Sequence, residues 1–501
     1  MNLPYAIHND EPIRRLSEDL LSQSSLIDEI AETLGNRALP PFVASVNGDW
    51  GQGKTSLLRA VFERLTGHPP FESGVTSEAV RSGGSPDYLH VRVIWFEAWR
   101  YQHEKNPIVA LLNEIRRQVG LLSRSLNFAK KELQIALESS LLSLDGLISI
   151  IGTLADTSTP STDGVAGTVQ RTGEAWEKRN LAYSLPSETI RELLNKTIVE
   201  LLKTLAKAEG NGARRRAAGQ NKSRLIIIID DLDRCQPTTT YRFLEGIKVF
   251  LNLPSCSILL GTNRREVQRS VAVGLAIDSG LDNLKETFLE DEKLVRLGAE
   301  YHEKICSFAW DIPFPTINQA VAFLDSLLEI ALRGQTDPVL GHSFRAALRQ
   351  VLIWEPAQES PRLLPSNPRR IKALANSLLR FAHKLEPSHG TDPYPTEDIP
   401  LILVLASIAV FHPTIYRQLL ANRRIIHDLR AKVRAIWIPG EIGDEDTETN
   451  RSSLNISNLK MDPDDVRYAD PQDSEVFRMA PVLAHMLAPT EDQLNRYLSH
   501  V

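Results

Sequence analysis

Cysteine is scarce in this chain, with only Cys235, Cys256 and Cys306 in 501 residues. None forms a C-x-x-C and none sits with histidines at zinc-ligand spacing, which excludes a disulfide scaffold or zinc ribbon and predicts reduced, buried thiols. The N-terminal MNLPYAIHNDEPIRR has no charged-then-apolar layout, so secretion is not expected. Long apolar runs are also missing. The two longest, 141–155 (interrupted by Asp145) and 401–411, fall short of the ~20 residues of a membrane-spanning helix, so both are expected to be buried helices. The expectation is a cytoplasmic protein with no membrane span. Positive charge is not in excess: the net charge is −6 and the pI about 6.1, which does not indicate a globally basic nucleic-acid binder. A local patch such as Arg214–Arg216 reads more simply as a solvated linker. No internal repeat, nuclease motif or protease triad is evident.

What the chain does contain is a long alternation of apolar runs and helical periodicity. At 501 residues it exceeds the size at which one core stops growing, so two to three domains are expected. PFVASV (41–46) ends at Asn47-Gly48 and reads as a buried strand entering a turn. Leu57, Leu58, Val61, Phe62 and Leu65 then recur at helical spacing, on a helix that starts at Lys54. LHVRVIWFEAW (89–99) reads as a second strand, and Asn106-Pro107 opens a helix with the face Ile108, Leu111, Leu112, Ile115 and Val119. Between about 121 and 220 helical segments flank a loop at 156–168 and end in a basic linker at 210–223. RLIIIID (224–230), apolar without alternation, fits a strand buried on both faces of a parallel sheet, and SILLGTN (257–263) supplies another. From about 316 the chain turns helical, and 440–453 reads as an acidic loop. The expected divisions are 1–120 and 221–315 as two parts of one α/β core, 121–220 as an insertion, 316–440 as a helical lid region and 441–501 as a C-terminal extension.

The chemistry concentrates at the ends of the apolar runs. Gly48 to Thr55, NGDWGQGKT in context, satisfies G-x-x-x-x-G-K-[ST] at every defined position, between a strand and a helix. Its glycines let consecutive backbone N–H groups surround a phosphate, Lys54 reaches the β- and γ-phosphates, and the Thr55 hydroxyl ligates Mg²⁺. Gly48, Asp49, Trp50, Gly51, Gln52, Gly53, Lys54, Thr55 and Ser56 are therefore the candidate nucleotide-binding residues. The partner must be an acid at the end of a buried strand. IIIIDD supplies it, with Asp230 on the metal side and Asp231 as the group that polarises the attacking water. Asn263 ends the next strand as a candidate γ-phosphate sensor. Cations must offset the charge on the transferred phosphoryl, and Arg234, Arg264, Arg265, Arg369 and Arg370 are candidates, although a surface ion pair explains any one of them more simply.

DDLDRC (230–235), WFEAWRY (95–101) followed by NPIVALLNEI, YHEKI (301–305) with Pro313 after it, and NPRRIKALANSLL (367–379) occur in the order of the signature blocks of the KAP family of P-loop NTPases, which the chain resembles over about residues 20–415. The resemblance implies a STAND-like ATPase that takes ATP and Mg²⁺. Its fold would be a mainly parallel sheet with an additional strand, flanked by helices, with the insertion between glycine loop and acidic strand and an all-helical lid. It implies a switching rather than metabolic role, in a homo- or hetero-oligomer with other proteins of a multi-component assembly such as an antiphage defence system. It also places Arg369 or Arg370 where such ATPases read nucleotide in cis, and Arg234 or Arg264 where one could act in trans. The chain departs from the family in two respects: its insertion has no adequate membrane span, and Asn263 stands where aspartate is frequent. For Glu97 and Arg100 in the tryptophan block, packing and a role at the site both stay open. The rival functional reading is a scaffold that nucleotide only stabilises.

Overall fold

The computed structural model describes residues 7–498 except 14, 22, 37, 71–87, 89–90, 105, 126–130, 157–185, 209–222, 249–252, 279–291, 333–337, 354–363, 385–395 and 438–478. The acidic loop expected at 440–453, the loop at 156–168 beyond Asp156 and the linker at 210–223 up to Ser223 thus lie outside the described residues. The chain forms two compact units, residues 12–312 and residues 313–501 with 1–11.

The first unit is built on five parallel strands: β1 (Val43–Asn47), β2 (Val91–Glu97), β3 (Arg224–Asp230), β4 (Cys256–Thr262) and β5 (Phe308–Asp311), in the order β2-β3-β4-β1-β5. β3 is buried at all seven positions because both faces of the sheet are covered. Its isoleucines divide by parity. Ile226 and Ile228 join the layer of α1 (Ser24–Gly35) and α2 (Lys54–Thr66), through Ile30, Leu34, Leu57, Leu58 and Val61. Ile227 and Ile229 join the opposite layer, with α3 (Pro107–Ser125), α6 (Pro237–Gly246) and α7 (Arg264–Asp278). β4 is the additional strand, inserted between β1 and β3. β5 is not legible in the sequence as a strand: four residues, mostly exposed, at the sheet edge beside β1, following α8 (Glu292–Ile305). The second strand stops at Glu97 rather than Trp99, because Ala98–Tyr101 turns as a 3₁₀ helix; Trp95 is core and Trp99 is half exposed.

The insertion supplies α4 (Lys131–Asp156) and α5 (Pro186–Ala208), which pack together and extend the layer of α3 through Leu144, Ile151, Leu194 and Leu201. Here one expectation is corrected. Glu132–Ile151 of α4 is 20 residues long and apolar enough to cross a membrane by length and composition, with a third of it buried. The reading from 141–155 missed this because the helix begins ten residues earlier. Asp145, read as an interruption, is paired with Arg116.

The second unit is helical: α9 (Ile317–Leu332), α10 (Pro338–Ile353), α11 (Pro368–Ala382), α12 (Ile399–Phe411), α13 (Pro413–Ala421), α14 (Ile425–Trp437), α15 (Ala480–His485) and α16 (Glu491–Leu498). α11 starts as its sequence demands. The Asn367 side chain accepts from Arg369 N, Pro368 occupies the first turn, and Ile371, Leu374 and Leu378 are buried. α12, apolar all round, is buried without a break from Leu401 to Ile408.

The free edge of β2 is closed by a side chain. Gln118 of α3, 1% exposed, accepts from Trp95 N (3.2 Å) and donates to Trp95 O (2.5 Å) and to Glu114 Oε1 (2.6 Å), standing in for a neighbouring strand. Tyr101 and Arg117 donate to the same Glu114 carboxylate. Burial, then the Glu114 charge, pushes the Tyr101 phenol above its ordinary pKa. Gln118→Leu should therefore strand a buried N–H and C=O and cost about 2–4 kcal/mol of stability in denaturant titration.

Candidate nucleotide-binding site

β1 delivers the chain to the carboxyl edge of the sheet, where the order reverses between β4 and β5, the place at which open α/β sheets bind ligands. The loop that follows is held at both ends. Gly48 N donates to Thr262 O (3.1 Å). Gln52, 3% exposed, accepts from Asp49 N (2.7 Å) and donates to Ile312 O (2.6 Å), tying the loop to the chain leaving β5. Gly51 and Gly53 take φ of 82° and 99°, a region a side chain would strain, so that α2 can begin at Lys54. Ser56 Oγ, one turn in, accepts from Ile13 N (3.3 Å). Trp50 is half exposed at the tip of the loop.

Lys54 lies under the loop. Its ammonium donates to Gly48 O (2.8 Å) and Asp49 O (3.3 Å) and pairs with Asp233 Oδ2 at 3.2 Å. Asp233, which the sequence reading quoted in DDLDRC without assigning a role, gathers the site: the same Oδ2 accepts from Trp50 Nε1 (3.2 Å) and Asn263 N (3.1 Å), and the side chain is 1% exposed. The available signal was the third acid of the block, two residues past Asp231. Asn263 in turn donates to Asp49 Oδ1 (3.3 Å) and accepts from Arg265 N (3.1 Å), so it connects the loop to the start of α7.

Asp230 ends β3 with 1% exposure, close to Thr55. Its Oδ1 has no partner among the described residues. Burial, then the neighbouring Asp231 charge, pushes its carboxyl up to about 7, against the Thr55 and Asp231 N–H hydrogen bonds. Asp231 has φ 57°, the sole left-handed non-glycine among the described residues, and pairs with Arg234 at 2.9 Å. Burial raises its pKa, opposed by Arg234, and Asp233 and Glu97 add to the rise. Mg²⁺ takes hard oxygen donors, and the residues fit it: a buried carboxylate oxygen without a partner and the Thr55 hydroxyl. Gly261 of β4 keeps that oxygen open, since a Cβ there would come within 3.1 Å of it and 2.5 Å of Leu58. The ion, when bound, would offset the negative charge of phosphate oxygens.

The KAP family P-loop domain profile matches residues 23–385, most of the chain. The chain belongs to the KAP family. No curated protein matches it. Its P-loop NTPase domain thus carries the loop, the lysine and the acidic strand together at one edge of the sheet.

The arginine candidates of this KAP protein separate. Arg234 sits at the acids, on Asp231. Arg264 reaches Asp311 at 3.9 Å across the start of α7 and the end of β5. Arg369 and Arg370 belong to the helical unit, where Arg369 pairs with Asp10 (2.5 Å) and Arg370 lies 5.4 Å from the Phe411 ring centre.

Because Asp233 and a polyphosphate compete for one ammonium, Asp233→Asn should keep the Trp50 and Asn263 contacts while freeing Lys54. ATP measured without divalent cation should then bind about tenfold tighter, roughly 1.4 kcal/mol, by calorimetry.

Proposed function

We propose that this chain is an Mg²⁺-dependent ATPase whose nucleotide cycle serves as a switch in a multi-protein assembly. The observation that carries the reading is the Lys54–Asp233 contact, a single buried ion pair that ties the P-loop lysine to the acidic strand's continuation and, through Asn263, to β4. A phosphate that takes Lys54 must loosen Asp233, so occupancy of the site is mechanically coupled to its neighbours. ATP is favoured over GTP because no guanine-reading N-K-x-D occurs where it is expected. Asp230 and Thr55 hold the metal, and Asp231 polarises the attacking water. In the absence of an effector motif in the chain, output belongs to a partner, and a prokaryotic antiphage system is the setting we propose. The protein works in the cytoplasm, α4 serving as a packed helix of the insertion.

Two substitutions test the division of labour. Lys54→Ala removes the main point charge on the polyphosphate, and calorimetry should show ATP affinity lost. Asp231→Asn should leave that affinity in place and slow phosphate release by about 10²-fold or more, the usual range for proton-transfer groups. Unchanged turnover in Asp231→Asn contradicts its role, and ATP binding by Lys54→Ala contradicts the site.

Arg369 or Arg370 is the residue we propose as the γ-phosphate sensor, on the resemblance of their block alone. An arginine that meets only the triphosphate gives the differential affinity a switch needs, worth roughly 1–3 kcal/mol. One of Arg369→Ala and Arg370→Ala should narrow the ratio of ATP to ADP affinity with ADP binding unchanged; two wild-type ratios would remove the helical unit from nucleotide sensing.

A further inference from the structure

The site holds one more carboxylate, which neither the glycine loop nor the acidic strand supplies. Glu97 is the last residue of β2, and in the parallel pairing of β2 with β3 its Cα partner is Asp230. Residues paired across neighbouring strands project their side chains to the same face of a sheet. The face is identified by the residue two positions earlier. Trp95 packs in the layer of α1 and α2, edge-on to Phe62 at 6.3 Å and beneath Arg59 at 5.9 Å. Glu97 and Asp230 therefore share the side of the sheet on which α2 lies, the helix whose first residues are Lys54 and Thr55. Phe96, pointing the other way, stacks on Tyr101 and Phe243 in the opposite layer.

The carboxylate is also held in place. Trp95 Nε1 donates to Glu97 Oε1 at 3.2 Å, and Arg100 pairs with Oε2. The Trp95 backbone that anchors this arrangement is itself pinned through both its N–H and C=O by Gln118. The Glu97 side chain stays a fifth exposed. The indole donor, the arginine and the strand register together hold it beside Asp230, on the face where α2 begins.

We infer that Glu97 is a catalytic residue of the hydrolysis proposed above, sharing the attacking water with Asp231. The inference rests on the ATPase reading and adds the group that receives the proton. The water oxygen forms a bond to the γ-phosphorus. The bond from that phosphorus to the oxygen bridging to the β-phosphate breaks, its electron pair remaining on ADP. The water proton passes to the Glu97 carboxylate and then to the released phosphate, which restores the glutamate. Asp231, fixed by Arg234, orients the same water from β3. Arg100 and Trp95 are positioning residues: they fix Glu97 and do not touch the nucleotide.

The test uses the full chain with Mg²⁺ and ATP, reading phosphate release, ATP affinity by calorimetry and the melting midpoint together. Glu97→Gln should keep ATP affinity within about threefold and slow turnover by about 10²-fold or more. Glu97→Asp keeps the charge but withdraws it by one methylene, and should slow turnover at least about tenfold with an unchanged melting midpoint. This second variant decides the matter should the first melt early. Since two groups on one water act as a unit, Glu97→Gln combined with Asp231→Asn should be no slower than the slower single variant. Turnover of Glu97→Gln and Glu97→Asp within about threefold of wild type overturns the inference and leaves the ATPase reading standing, as does a double variant whose loss is the product of the two. A wild-type protein that binds ATP and releases no phosphate overturns both.

Discussion

A carboxylate buried at the end of a strand with one oxygen unpartnered is the constraint around which the first unit is arranged. Asp230 is 1% exposed, and its Oδ1 meets no donor among the described residues. An ionised carboxylate in such surroundings costs several kcal/mol unless a cation or a proton answers it. The fold places it there through β3, whose run of isoleucines buries the strand from both faces up to its last residue. β4 brings Gly261, which leaves the oxygen uncovered, and α2 brings Thr55 close to the carboxylate. The three elements meet at one point because β4 is inserted between β1 and β3, which puts the strand that ends in acid one strand away from the strand that ends in the loop.

Around that point negative charge is crowded. Asp231 and Asp233 follow on the same chain, and Glu97 ends the neighbouring strand in register with Asp230. Three cations answer them: Arg234 on Asp231, Arg100 on Glu97 and Lys54 on Asp233. Each of the two arginines binds an acid three residues away in its own segment, so those pairs form with local geometry alone. The lysine pair is different. Lys54 and Asp233 come from separate elements, and both side chains are buried, so this is the ion pair that joins loop to acidic strand.

The sequence made the repeating parts of this arrangement visible and hid those that depend on tertiary pairing. The phosphate loop and the helix beginning at Lys54 follow from local chemistry: glycines at positive φ, then an apolar stripe. β3 was legible because a strand covered on both faces needs no alternation. β5 was not, since four residues at a sheet edge with exposed side chains carry no period and exist as a strand only by pairing with β1. Asp233 lay in plain view, yet nothing local distinguishes an acid that collects a lysine, an indole and a backbone N–H from one that faces solvent. Glu97 shows the same limit. Its neighbours in sequence give a packing motif, and only the β2–β3 register sets it beside Asp230. The length of α4 was missed because the eye stops at Asp145, whereas a helix carries one paired aspartate without ending.

Lys54 therefore has two claims on it, and they differ in kind. Asp233 offers a single charge that is already desolvated, with the backbone oxygens of Gly48 and Asp49 completing the ammonium's shell. A polyphosphate offers more charge and brings its own counterion. The loss on leaving Asp233 is not confined to the lysine. The same Oδ2 holds the Trp50 indole at the loop tip and the backbone of Asn263 at the end of β4, whose side chain reaches back to Asp49. An ion pair shared in this way resists partial loosening, since a buried acid deprived of its cation must find other donors or a proton. In the switch proposed above, exchange of the lysine's partner, with three segments attached to the acid left behind, would be the two-state element. Nucleotide can bias such an element to the extent that it binds one arrangement better than the other.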